Sequence, residues 1–140
     1  MHEEKMTHAT VIETRESTYA VDIEVSGYKL KGDEPLSVGG ANLGPAPYDI
    51  LLAALGECTA MTVRWFAIQR NWPLDKVEVE LTHHKDDVNN SPRPVDIFTK
   101  KIILHGDALT DDQRAKLIEI AAKCPVQRTL EATPVIHTTS

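Results

Sequence analysis

The stretch from Pro47 to Asn71, PYDILLAALGECTAMTVRWFAIQRN, decides the architecture. Pro47 suits a first helical position, where its missing N–H costs nothing. Asp49 lies in the first turn, where a negative charge complements the helix dipole. From Ile50 to Ile68 there is no proline, and Gly56 is the only glycine. The run is apolar on nearly every face and is interrupted mainly by Glu57 and Arg64. A helix of that kind lies at the centre of its structure. Asn71-Trp72-Pro73 ends it. One helix that needs cover on every side asks for more than a 140-residue chain with few helices supplies. The pattern therefore predicts a tight homodimer.

Upstream, Thr7 to Thr14 and Tyr19 to Val25 read as strands. In the second, Tyr19, Val21, Ile23 and Val25 alternate with Ala20, Asp22 and Glu24, the period of a half-buried strand. Ser26-Gly27 signals a tight turn, and Tyr28 to Lys31 returns as a third strand. Gly32 to Pro47, rich in glycine and proline, is an irregular loop. Downstream, Val77 to His105 reads as a hairpin whose polar turn spans Asp86 to Pro94. Thr110 and Asp111 start a helix that carries Leu117, Ile118, Ala121 and Ala122. Pro125 opens a short helix through Leu130, with Cys124 at its N-cap. Pro134 to Thr138 reads as a closing strand. The order predicts an α+β fold in a single domain over residues 1–140.

The formal net charge of −6, with no basic stretch, argues against nucleic acid and anionic membrane as partners. No apolar run reaches the roughly 18 residues of a bilayer span. Residues 1–10 do not resemble a secretory signal, so the chain reads as cytoplasmic. Thiols there rest reduced. Two cysteines in that compartment are reactive, metal-binding or simply buried, rather than structural crosslinks.

Cys58 shares a helical stripe with Leu51, Ala54, Met61 and Trp65. Taken alone, it reads as a small core residue. Glu57 and Thr59 beside it weaken that reading, because a carboxylate in the middle of an apolar helix calls for a reason. Cys124 sits where backbone N–H groups favour thiolate, and Arg128 lies one turn further on. Simple packing under the Pro125 turn is the alternative. The pair does not have zinc spacing, and His83-His84 read as exposed strand histidines. No phosphate loop or nucleophile elbow occurs. No metal and no organic cofactor are expected.

The segment Pro47 to Cys58, with an Ala-rich apolar stretch and a cysteine eleven residues after the proline, resembles the central-helix motif of the OsmC/Ohr superfamily. These are the osmotically inducible protein C and organic hydroperoxide resistance proteins. Cys124-Pro125-Val126, followed by Leu130, is similar to the family's second motif. The order of elements matches over almost the whole chain.

The resemblance implies an OsmC-like fold: an intertwined homodimer with long buried central helices, antiparallel sheets wrapped around them and two sites at the interface. It implies a thiol peroxidase for organic hydroperoxides, recycled by a dithiol reductant. Cys58 would be the peroxidatic thiol and Cys124 the resolving one. Asp49 falls where the family carries a Glu that orients a cation; Arg15, Lys29 and Lys31 are candidates for that cation. Tyr48 departs from the acidic residue usual at its position. The glycine-rich loop points to a less characterised OsmC-like branch. A redox-sensing or binding protein without efficient turnover is the alternative. An acyl-transfer enzyme using Cys58 would need a histidine base that the sequence does not place.

Overall fold

The computed structural model describes residues 6–87 and 92–140. Its element order is β1 (Ala9–Glu13), β2 (Val21–Val25), β3 (Tyr28–Gly32), a 3-10 turn (Leu36–Val38), α1 (Pro47–Arg70), β4 (Lys76–Asp86), β5 (Val95–His105), α2 (Asp111–Ala121) and α3 (Pro125–Glu131). The α+β class and the long helix are as expected. The contacts divide the chain into two compact units, residues 1–51 and 52–140.

In the first unit, β1, β2 and β3 form an antiparallel sheet in that order, with Val11 opposite Ile23 and Ile23 opposite Leu30. Ser26 and Gly27 have φ of 50° and 85°, the left-handed pair that a two-residue hairpin with twisted strands needs. The glycine-rich segment is organised around one side chain. Asp33, 4% exposed, accepts the Ser17 hydroxyl and the N–H groups of Glu34, Ala41 and Leu43, at 2.7 to 3.3 Å. Gly40 and Gly44 permit this fold-back. A Cβ on Gly40 would lie 2.0 Å from the Glu34 carbonyl oxygen, and one on Gly44 2.1 Å from that of Lys31.

In the second unit, β4 and β5 pair antiparallel from Lys76–His105 to Asp86–Val95. Residues 88–91 of the expected turn lie outside the described residues. The hairpin and α2 close over one side of α1. Val63, Phe66, Ala67, Leu74, Leu109, Leu117 and Ala121 form the core, flanked by Val77, Ile102 and Leu104. Phe66 and Trp72 meet edge to face with centroids 5.5 Å apart. Arg64, which looked out of place in an apolar run, donates to the carbonyls of Leu74 (2.6 Å) and Asp75 (3.1 Å). Arg114 does the same for Leu104 and Gly106. Both cations thus bind backbone acceptors at or near strand ends. Thr110 and Gln113 form a reciprocal capping box at the start of α2.

Three expectations need correction. Residues 134–138 form no strand, and Val135 and Ile136 are exposed. β-branched composition alone does not make a strand without a partner ladder. Second, α1 is long and apolar enough, by length and composition, to cross a membrane, although Arg64 and Glu57 interrupt its sequence. Here its Val63–Phe66–Ala67 side is core, and Met61, Trp65 and Ile68 are exposed. Third, His83 is not exposed in the way His84 is. Its side chain is 14% exposed, its Nε2 lies 2.8 Å from Asp96, and its ring packs on Phe98.

Candidate functional site

α1 and the start of α3 bring the two cysteines together within the second unit. Their sulfurs lie within hydrogen-bonding reach of one another. Cys58 is partly exposed and receives the Val126 N–H at 3.5 Å. Cys124 is 0% exposed and is the N-cap of α3, accepting the Gln127 N–H at 3.4 Å. Pro125 at N1 has no N–H to offer, so the cap bond falls on Gln127.

A third side chain connects them to the sheet. The Thr59 hydroxyl, also 0% exposed, lies 3.4 Å from the Cys124 sulfur and donates to the Leu55 carbonyl at 2.8 Å. Lys100 donates from Nζ to Thr59 Oγ1 at 2.9 Å and to the Ala121 carbonyl at 2.6 Å. Local packing sets this reach. Lys100 stands directly across the ladder from Leu81, and Leu81 packs onto Gly56. A Cβ on Gly56 would come within 2.6 Å of Leu81 Cδ1, so the glycine lets the hairpin lie close to α1.

The two thiols differ electrostatically. Burial pushes Cys58 up; the Val126 N–H opposes this, and the neighbouring Cys124 adds to it. Burial also acts against the Cys124 thiolate. There the Thr59 hydroxyl, the Gln127 N–H, the Lys100 charge and the Cys58 thiol outweigh it and hold Cys124 below the ordinary thiol range. Burial lowers Lys100, while the two sulfurs and Glu131 support its charge. Of the two sulfurs, Cys124 is thus the one that ionises more readily.

Asp49, Arg15 and Lys31 lie in the first unit. Asp49 accepts the Ala46 N–H at 2.9 Å, in the manner of a helix-start carboxylate. Arg15 has a left-handed φ of 68°, uncommon for a residue other than glycine, and faces Glu13 at 3.6 Å. Lys31 is bound by Glu16 and Asp22. Glu57 is exposed. The sequence reading missed Lys100, and noted Thr59 only as a neighbour of Cys58 without giving it a role. A signal existed: Phe98, Lys100, Ile102 and Leu104 share one face of β5, so Lys100 is a charge on an apolar stripe. Gln127 donates to Glu131, while its Oε1 is buried with no partner among the described residues. Among those residues no group of three or more His, Cys, Asp or Glu is placed to hold a metal ion.

Comparison with known proteins shows the same fold elsewhere. An OsmC-like protein from Mycoplasma pneumoniae superposes with a TM-score of 0.75 at 17% identity, covering 92% of this chain and 89% of that one. The organic hydroperoxide resistance protein OsmC from Legionella pneumophila gives 0.67 at 17% identity, over 92% and 91%. The organic hydroperoxide resistance protein OhrB of Bacillus subtilis gives 0.59 at 16%, over 89% and 90%. At such identities the likeness is one of fold. No curated protein gives a significant match. The profile described as OsmC-like protein matches residues 39–139, which include both cysteines, all of α1, and α2 and α3. The chain belongs to the OsmC family of OsmC-like proteins.

Proposed function

We propose that this protein is a thiol-dependent peroxidase for organic hydroperoxides, with Cys58 attacking the peroxide and Cys124 resolving the product. The observation that carries this reading is the pair itself: a partly exposed thiol beside a buried one whose pKa its donors hold below the ordinary thiol range. Family membership supports it, as do relatives named organic hydroperoxide resistance proteins.

The cycle starts from the form of the reduced site that holds one proton between the two sulfurs, on Cys58. As substrate arrives, that proton passes from Cys58 to Cys124. The Cys58 thiolate, with the Val126 N–H on its sulfur, attacks the distal oxygen of ROOH. The O–O bond breaks, Cys58 becomes a sulfenic acid, and the leaving alkoxide takes the proton back from Cys124. The Cys124 thiolate then attacks Cys58 sulfur. Hydroxide leaves, solvent protonates it, and the disulfide forms. An external dithiol returns two electrons. Peroxide reduction and disulfide formation use only the chain's own thiols, and the recycling dithiol suits the reducing cytoplasm.

We further read the exposed apolar stripe Met61, Trp65 and Ile68 on α1 as the face that a second copy covers. The whole chain then acts as one OsmC-like domain in a homodimer. Light scattering after size exclusion tests this: a monomer at micromolar concentration would refute it.

Intact mass after one equivalent of cumene hydroperoxide tests the chemistry. Wild type loses both thiols and about 2 Da, and Cys124→Ser gains about 16 Da. Cys58→Ser gains nothing. Full peroxidase activity in Cys58→Ser would refute the assignment. The upward-shifted Cys58 thiol favours a second reading, a redox sensor that forms the disulfide slowly. Steady-state turnover with a dithiol separates the two.

A further inference from the structure

We propose that Lys100 is a positioning residue: through the Thr59 hydroxyl it stabilises the Cys124 thiolate that departs when an external thiol opens the Cys58–Cys124 disulfide, so that reduction enters at Cys58. This rests on the disulfide cycle above and adds the direction in which it is reset.

Access comes first. Cys124 is 0% exposed, whereas Cys58 is partly open to solvent. Thiol–disulfide exchange needs the incoming sulfur to reach one sulfur while the other leaves as thiolate. Within one chain Cys58 is the more open of the two sulfurs, so the incoming thiol enters there and Cys124 is the leaving group.

The Thr59 hydroxyl has one hydrogen and two acceptors within reach, the Leu55 carbonyl at 2.8 Å and the Cys124 sulfur at 3.4 Å. When Cys124 becomes anionic, that hydrogen turns towards it. Lys100 already donates to the same oxygen at 2.9 Å, which polarises the hydroxyl and makes it a stronger donor. The second Lys100 bond, to the Ala121 carbonyl, anchors the ammonium beside the last turn of α2. The charged groups that face Lys100 are Cys58 on α1, Cys124 before α3 and Glu131 on α3; all three support its protonated state against burial. Burial still outweighs them and holds the ammonium below its ordinary range, while its bonds to Thr59 and the Ala121 carbonyl keep it in place when the thiolate appears.

The step balances as follows. A reductant thiolate attacks Cys58 sulfur, forming a new S–S bond. The Cys58–Cys124 bond breaks, and its electron pair stays on Cys124. The reductant's second thiol, as thiolate, then closes on its own sulfur in the mixed disulfide. Cys58 is released as thiolate and takes a proton from solvent. The dithiol loses two electrons and the protein gains them.

The test uses the full chain oxidised with diamide, which makes the disulfide without hydroperoxide. Reduction by dithiothreitol is followed by stopped flow, and acid-quenched samples are alkylated and peptide-mapped. The mixed adduct maps to Cys58. Lys100→Gln, which keeps a donor but removes the charge, slows reduction at least about three-fold at neutral pH, as expected for a poorer leaving group. Lys100→Arg restores most of the rate. In a Cys58→Ser background, thiolate absorbance at 240 nm shows Cys124 titrating at higher pH once Lys100→Gln is added. Should Lys100→Gln fail to fold, Thr59→Val against Thr59→Ser asks the same question: Val slows reduction and Ser does not.

An adduct on Cys124, or an unchanged rate and titration in folded Lys100→Gln or Thr59→Val, overturns the proposal. Loss of hydroperoxide turnover with the diamide disulfide intact would refute the peroxidase reading alone. Two free thiols surviving diamide would refute both.

Discussion

Asp33 in the first unit and Cys124 in the second are both buried acceptors, 4% and 0% exposed, and they are held in different ways. Asp33 is surrounded by donors held in place by the fold: three backbone N–H groups of its own loop and the Ser17 hydroxyl from the β1–β2 connection. Burial opposes its charge, but the Glu34 N–H, the Ser17 hydroxyl and the Ala41 and Leu43 N–H groups hold the carboxyl below its usual range. Nothing nearby can react with it. Cys124 has donors of similar number, yet one neighbour is another thiol and one hydroxyl can redirect its hydrogen. A buried anion with a saturated, immobile shell holds a loop together. One with a movable proton and a bondable neighbour is equipped for chemistry.

The largest effect that would break this contrast is on turnover. Cys124→Ser is expected to stop after one peroxide, lowering the steady-state rate at least about a hundred-fold, with sulfenic acid accumulating. Its melting temperature should move little, because serine keeps the cap on α3. A Cys124→Ser enzyme that still turns over would place resolution elsewhere.

The next largest effect is on stability. Asp33→Ala leaves the Glu34, Ala41 and Leu43 N–H groups without their acceptor, and a fall of roughly 5 °C or more in melting temperature is expected by calorimetry. Asp33→Asn, which keeps one oxygen, should fall less. An unchanged Asp33→Ala would mean that the loop holds itself without the carboxylate.

A pH titration sharpens the same point. The folded Asp33 carboxyl titrates below its unfolded value of about 3.9, so its contribution is complete above that value. It is lost as the pH falls through the lower folded value. Stability measured by denaturant should therefore drop more steeply below about pH 4 in wild type than in Asp33→Asn. Parallel curves would contradict the assignment.

The smallest expected effect is that of Gly56→Ala. Its new Cβ meets Leu81 Cδ1, the far end of a side chain that can give way. The hairpin shifts slightly, Lys100 reaches Thr59 less well, and reduction by dithiothreitol slows by less than in Lys100→Gln. A larger loss than in Lys100→Gln would show that Leu81 packing, and not the cation, limits the site.

Much of this was legible in the sequence, for reasons that can be named. Pro47, Asp49 and the unbroken apolar run gave α1 its start and length, and Cys124-Pro125 placed a thiol at a helix start because proline sits well at N1. Ser26-Gly27 gave the hairpin. The long-range part was hidden. That Lys100 meets Thr59 depends on the register pairing Leu81 with Lys100 and on the missing Cβ of Gly56, neither of which a local period reports. Asp33 was missed because its donors are backbone groups, which carry no residue identity. Val135 and Ile136 misled in the other direction, since strand propensity says nothing about the presence of a partner edge.

The cap on α3 has a consequence for equilibrium as well as for rate. The Cys124 sulfur that closes this seven-residue helix is a better acceptor as a thiolate than inside a disulfide. Whatever free energy the helix start gains from the anion therefore belongs to the reduced form alone. It raises the reduction potential of the pair, by about 30 mV for every 1.4 kcal/mol. Reshaping the end of a short helix, by exchanging Pro125 or Gln127, would retune the protein as an oxidant with both cysteines left untouched.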